Sequence, residues 1–70
     1  MACEVTNDVD GWQVRLFRRR DDFAPYGCEA NDPLWGRFNA AYGVDGTEVL
    51  SRIAAKTGID REELLATFGY

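Results

Sequence analysis

The chain has no histidine, and only two cysteines, two prolines and one methionine among its 70 residues. Without an imidazole there is no Ser-His or Cys-His nucleophile pair. Two thiols cannot complete a four-ligand zinc site unless carboxylates or a second chain contribute. No glycine-rich phosphate loop is present, because the glycines fall at expected turns and helix ends, apart from Gly36. Two carboxylates can in principle act as acid and base, but a chain this short hardly builds the deep pocket that would tune them. The expectation is a protein that is not an enzyme, with no cofactor and no metal.

Positive charge is also scarce. Eight Lys and Arg stand against twelve Asp and Glu, for a net charge of −4. That disfavours non-specific nucleic-acid binding and suits a partner with a basic surface. No apolar run approaches the ~20 residues of a membrane span. Met1-Ala2-Cys3-Glu4-Val5 lacks the basic and apolar segments of an export signal. The expectation is therefore a cytoplasmic protein with no membrane partner. In that compartment Cys3 and Cys28 read as reduced thiols, with one disulfide as the alternative.

What is present is a foldable composition: 46% hydrophobic and 13% aromatic residues, richer than a disordered chain. The length fits one small domain, 1–70. Asp10-Gly11 is a two-residue hairpin signal. A turn there sets Val9 against Trp12, Asn7 against Val14, Val5 against Leu16 and Cys3 against Arg18. That gives one largely apolar face, and slipping by one residue would invert it. The aperiodic stretch 21–31 reads as a loop, pinned to the core by Phe23 and Tyr26.

Asp32-Pro33 has the chemistry of a helix start. Leu34, Phe38, Ala41 and Tyr42 follow at helical spacing beside Trp35, up to a stop at Gly43. Asp45 with Glu48, and Asp60 with Glu63, open two further helices as capping-box pairs, and Gly58 separates them. The predicted fold class is α+β, an N-terminal β-hairpin packed on three short helices in the order β-β-α-α-α. Its predicted core is Trp12, Val14, Leu16, Trp35, Phe38, Val49, Leu50, Ile53, Leu64, Leu65 and Phe68.

Three surface constellations remain. Residues 53–64 resemble a helix-turn-helix unit, which would set its second helix in a DNA groove. That helix opens Asp60-Arg61-Glu62-Glu63, and its carboxylates would face phosphates, so a structural helical hairpin is the plainer reading. Arg15, Phe17, Arg18, Arg19 and Arg20 form a basic-aromatic strand end. With Arg61 they are the candidate nucleic-acid contacts. The strand end reads equally as charge that discourages edge pairing. The acidic residues without a capping role, Asp8, Asp10, Asp21, Asp22, Glu29 and Glu62, together with Glu63, are the candidate partner-binding set. They would meet a basic groove as nucleic-acid mimics do, or simply keep the surface solvated.

Thr6-Asn7 with Gly11-Trp12 and a following strand, then Ala41-Tyr42-Gly43-Val44 ahead of an amphipathic helix, resembles parts of a small phage anti-CRISPR family that inhibits type I-F surveillance complexes. The resemblance covers 6–12 and 41–44 only. It implies an acidic protein occupying a DNA-binding surface on a host complex. The functional expectation is a small acidic module that binds a protein or a protein–nucleic-acid complex. The alternatives are a helix-turn-helix regulator and a single-stranded nucleic-acid binder.

Overall fold

The computed structural model describes residues 4–70. Its elements are β1 (Glu4–Val9), β2 (Trp12–Arg18), β3 (Tyr26–Asp32), β4 (Arg37–Gly43), α1 (Gly46–Thr57) and α2 (Arg61–Thr67). The four strands form one antiparallel sheet in the order β1-β2-β3-β4. Both helices pack on the same face of it. The chain is thus α+β, but with a four-stranded meander followed by two helices, which overturns the expected β-β-α-α-α order.

The first hairpin has the expected register. Val9 faces Trp12, Asn7 faces Val14 and Val5 faces Leu16. Asp10 and Gly11 take φ of 50° and 83°, the positive values that a two-residue turn matching the strand twist needs. The expected Cys3–Arg18 pair lies outside the described residues.

The helix expected over 32–43 is instead a turn and a strand. Its cap chemistry is real: the Asp32 Oδ1 accepts from the N–H groups of Leu34 and Trp35 at 3.1 and 3.2 Å. One helical turn even forms, since the Gly36 N–H donates to the Asp32 carbonyl at 2.8 Å. Gly36 then adopts φ 68°, a left-handed conformation that glycine takes without steric cost, and the chain reverses to pair Arg37 with Asp32. The spacing misled because residues four apart share a face in both a helix and a strand. Phe38 and Tyr42 do lie on one side, but it is the outer side of β4.

Likewise, 26–32 is a strand and not a loop. Its alternation is carried by small side chains, Cys28 and Ala30 inward, which give little hydropathy contrast. Tyr26 does pack against the core. Phe23, expected to do the same, is 91% exposed. The 19–25 connection is closed by polar bonds: Arg19 N–H to the Pro25 carbonyl, and Asp21 accepting from Phe23 and Ala24.

The core lies between the inner sheet face and the helices. Trp12, Val14, Leu16, Cys28, Ala30 and Ala41 meet Val49, Leu50, Ile53, Ala54, Ile59 and Leu64. Small residues on β3 and β4 let α1 settle close to those strands. Leu65 and Phe68 are half-buried against this core. Trp35 and Phe38 are no part of it: they are 73% and 59% exposed, because the segment that carries them is a hairpin tip and an outer strand face. The expected caps of both helices are present. Asp45 accepts from the Glu48 N–H at 2.8 Å, and Asp60 accepts from the Glu63 N–H at 3.3 Å. Among the described residues, no helix is long and apolar enough to cross a membrane.

Truncating Leu50 or Leu64 to Ala should cost about 2–5 kcal/mol in urea denaturation, whereas Trp35→Ala should stay within about 0.5 kcal/mol. A Trp35→Ala cost matching that of Leu50→Ala would mean that Trp35 is a core residue after all.

Candidate functional site

The meander leaves one sheet face without helices. Alternation along the strands brings Thr6, Gln13, Arg15, Phe17, Glu29, Asn31, Phe38, Ala40 and Tyr42 to it. Arg15 is at its centre. Its guanidinium forks to Glu4 and, at 2.7 Å, to Glu29, and stacks 4.2 Å from the Phe17 ring centroid. These two carboxylates raise its pKa further above the usual arginine value. The Phe17 ring in turn lies flat on Gly27, where a Cβ would come within 2.5 Å of its Cζ. Arg19 covers Tyr42 at 4.3 Å, donates to the Ala24 carbonyl and pairs with Asp21 at 3.6 Å. The cations of this face are therefore already matched with carboxylates and carbonyls of the chain itself.

The candidate nucleic-acid residues do not converge. Arg15, Phe17 and Arg19 share the open face. Arg18 points to the other side, over Tyr26 at 4.7 Å, and Arg20 is exposed in the β2–β3 connection. Arg61 begins α2, donating to Ser51 Oγ at 2.8 Å and lying 3.7 Å from Glu62.

The acidic set divides as well. Glu29 is spent on Arg15 and Asp21 on its loop. Asp22 is exposed beside Asp21, at the end of the sheet that carries the β2–β3 connection. Asp8 is exposed on β1, and Glu62 on α2. Asp10 and Glu63 come together at the opposite end, where the β1–β2 turn meets the start of α2, with Asp60 next to them. The Asp10 charge, followed by burial, a side-chain hydrogen bond with Asp10 and then the Asp60 charge, holds Glu63 above the usual glutamate range. This repulsion makes the end of the sheet a place where an incoming cation would relieve strain between like charges.

The same end carries Trp35, expected in the core, together with Leu34. The β3–β4 turn projects Leu34 and Trp35, 81% and 73% exposed. Trp35 and Arg37 line a shallow depression of about 350 Å³. The turn is braced by Asp32, whose buried carboxylate accepts from Leu34 N and Trp35 N on one oxygen. Its other oxygen accepts from Arg37 Nε and Nη2 at 3.1 and 2.6 Å. Arg37 lies over the Trp12 indole at 4.6 Å, tying the turn to the core. The Arg37 guanidinium, with help from the Trp35 and Leu34 N–H groups, holds the Asp32 carboxyl below the usual aspartate range against the opposing effect of burial. The available signal was Asp-Pro followed closely by a glycine, which marks a turn, with two large apolar residues at its tip.

Cys28 is buried, and that burial pushes its thiol up to about 12, with Glu29 adding to the shift. It stays protonated and inert at neutral pH. Cys3 lies outside the described residues. Among the described residues, no three His, Cys, Asp or Glu side chains gather as metal ligands. Comparison with protein-family models, with curated proteins and with solved structures finds no match.

Two titrations test this electrostatic arrangement. Because the folded pKa of Asp32 is depressed, its stabilisation is complete above the unfolded value of ~3.9 and is lost as pH falls through the folded value. Asp32→Asn should therefore be less stable than wild type at neutral pH, and the gap should close in acid. A constant gap down the acid limb would contradict the assignment. For the second pair, Asp10→Asn keeps a favourable turn residue and should bring the Glu63 pKa down toward the ordinary glutamate range in an NMR titration. An unmoved Glu63 would mean that the two carboxylates do not interact.

Proposed function

We propose that this chain is a small acidic protein-binding module that docks through the β3–β4 turn. Leu34 and Trp35 are the apolar anchors, and Asp10, Asp60 and Glu63 at the same end meet cations of the partner. The observation that carries this reading is Trp35, a large aromatic exposed on a turn that a buried carboxylate holds rigid. Trp is among the residues that dominate binding energy at protein interfaces. A preorganised turn loses little conformational entropy on docking. Contiguous exposed apolar surface, as Leu34 and Trp35 form here, marks interaction sites where it is extensive.

In its finer form the proposal is an inhibitor of a nucleic-acid-handling complex, its carboxylates standing where phosphates would lie on a basic surface. This is the class implied by the anti-CRISPR resemblance at 6–12 and 41–44. The net charge of −4 supports it, as does the concentration of carboxylates around Glu63.

A second reading, single-stranded nucleic acid on the open sheet face, draws support from Phe17 and Tyr42 with arginines over their rings. It is weakened by the pairing of Arg15 with Glu4 and Glu29, because a backbone-tracking groove needs uncompensated positive charge. The helix-turn-helix reading has less behind it. Its would-be reading helix spans only 61–67 and begins Arg61-Glu62-Glu63.

Photo-cross-linking from a photoreactive leucine analogue at position 34, which keeps Trp35 in place, in a lysate of the source cells would identify the partner. Trp35→Ser, and separately Asp10→Lys with Glu63→Lys, should then weaken its affinity by roughly tenfold or more, as expected for an interface anchor. Equal affinity for the wild type and Trp35→Ser would overturn the docking turn. A partner that proves to be an oligonucleotide, bound with undiminished affinity by both variants, would transfer the function to the open face.

A further inference from the structure

A meander has two edge strands, and here they are treated differently. On β4 the backbone groups of Phe38, Ala40 and Tyr42 point away from β3, since the opposite set pairs with it. Two long side chains of α1 reach over that edge. Lys56 Nζ donates to the Ala40 carbonyl at 2.9 Å, and Arg52 Nη1 donates to the Tyr42 carbonyl at 3.1 Å. An incoming strand would need those carbonyls, so β4 is closed by the cationic covering that commonly protects sheet edges.

On β1 the two-residue turn makes Val9 and Trp12 a doubly bonded pair. By alternation Asn7 and Val5 also turn their backbone groups toward β2, and those of Glu4, Thr6 and Asp8 face outward. Among the described residues, no side chain or loop bonds to these outward groups. Beside the start of this edge lies a cleft of about 420 Å³ lined by Val5, Leu16, Tyr26, Arg18 and Tyr70, and Val5 is 51% exposed. The edge therefore offers backbone pairing together with a place for an apolar side chain, the two requirements for recognition by strand addition.

Charge selects the occupant. Glu4 and Asp8 project to one face of β1, with Thr6 between them. Antiparallel pairing of two copies about Thr6 would set Glu4 of each against Asp8 of the other, and like charges directly opposite destabilise a ladder. A strand with Lys or Arg on that face reverses the sign. We infer that β1 accepts an extended segment of a partner protein in which basic and apolar residues alternate, the basic ones beside Glu4 and Asp8 and an apolar one in the cleft at Val5. This rests on the reading of the chain as a protein-binding module and adds a second contact, separate from the Trp35 turn.

The test uses a short blocked peptide alternating Lys and Val, followed by amide exchange and NMR titration of the full chain. The peptide should slow exchange at Glu4, Thr6 and Asp8 and leave Phe38, Ala40 and Tyr42 unchanged. Thr6→Pro removes an outward N–H that the hairpin does not use, a substitution tolerated at sheet edges, and should weaken the peptide by roughly tenfold. Asp8→Lys, a second variant that leaves the backbone intact, should weaken the Lys-Val peptide and strengthen its Glu-Val counterpart. Binding without slowed exchange at Thr6 and Asp8 would overturn the proposal. So would slowed exchange on β4, equal affinity for Thr6→Pro, or β1 protection that rises with protein concentration in the absence of peptide. Capture through Trp35 is read in a separate experiment, so a blank peptide titration overturns strand addition and leaves the docking turn standing.

Discussion

The carboxylate of Asp32 ties the β3–β4 turn to the core face of the sheet. One oxygen satisfies the first N–H groups of the turn, and the other is clamped by Arg37. Through Arg37 it is tied to Trp12 on the core face of β2. A carboxylate this deeply covered is tolerable only because its lone pairs are met by charge-assisted and backbone donors. The same bonds that make its burial acceptable fold β4 back onto β3. They also hold Trp35 out in solvent, so the fold of the second hairpin and the shape of the candidate docking surface have a common cause.

Charge on the molecule is segregated by what it has been paired with. On the open sheet face Arg15 is shared between Glu4 and Glu29, and Arg19 is occupied by Asp21 and a carbonyl. Surface pairs of this kind add little stability, but they commit the cations of that face, while Glu4 and Asp8 stay exposed along its β1 edge. At the turn end, by contrast, the Asp10 and Asp60 charges act on Glu63, and among the described residues none of these three carboxylates has a salt-bridge partner. An acidic chain can thus pair much of the charge on its sheet and leave carboxylates unpaired at one end, a division that net charge alone would not reveal.

The parts legible in the residues were those governed by local rules. The β1–β2 register followed from Asp10-Gly11 and the alternation of Val5, Val9, Trp12, Val14 and Leu16. The two helices followed from Asp45 with Glu48, Asp60 with Glu63, and the apolar stripe of Val49, Leu50, Ile53 and Leu64. The misread segment, 32–43, contains a genuine helix start, and its Leu34, Phe38 and Tyr42 spacing satisfies two periods at once. Nothing local distinguishes a helix that continues past Gly36 from one that stops after a single turn. Of the candidate site, Asp10 and Glu63 were named but not known to be neighbours, whereas Trp35 was assigned to the core and Leu34 to the apolar spacing of a helix.

Local chemistry alone thus settled the Asp10-Gly11 turn and the caps at Asp45 and Asp60, because hydrogen bonds between near neighbours and the φ preferences of Gly and Asp act over a few residues whatever surrounds them. The fate of 26–43 was settled by the assembled sheet. Cys28, Ala30 and Ala41 are too small to declare a face by hydropathy, and they become a core surface only when α1 lies across them. In the assembled sheet the backbone of 37–43 pairs with β3, and Trp35 is left outside.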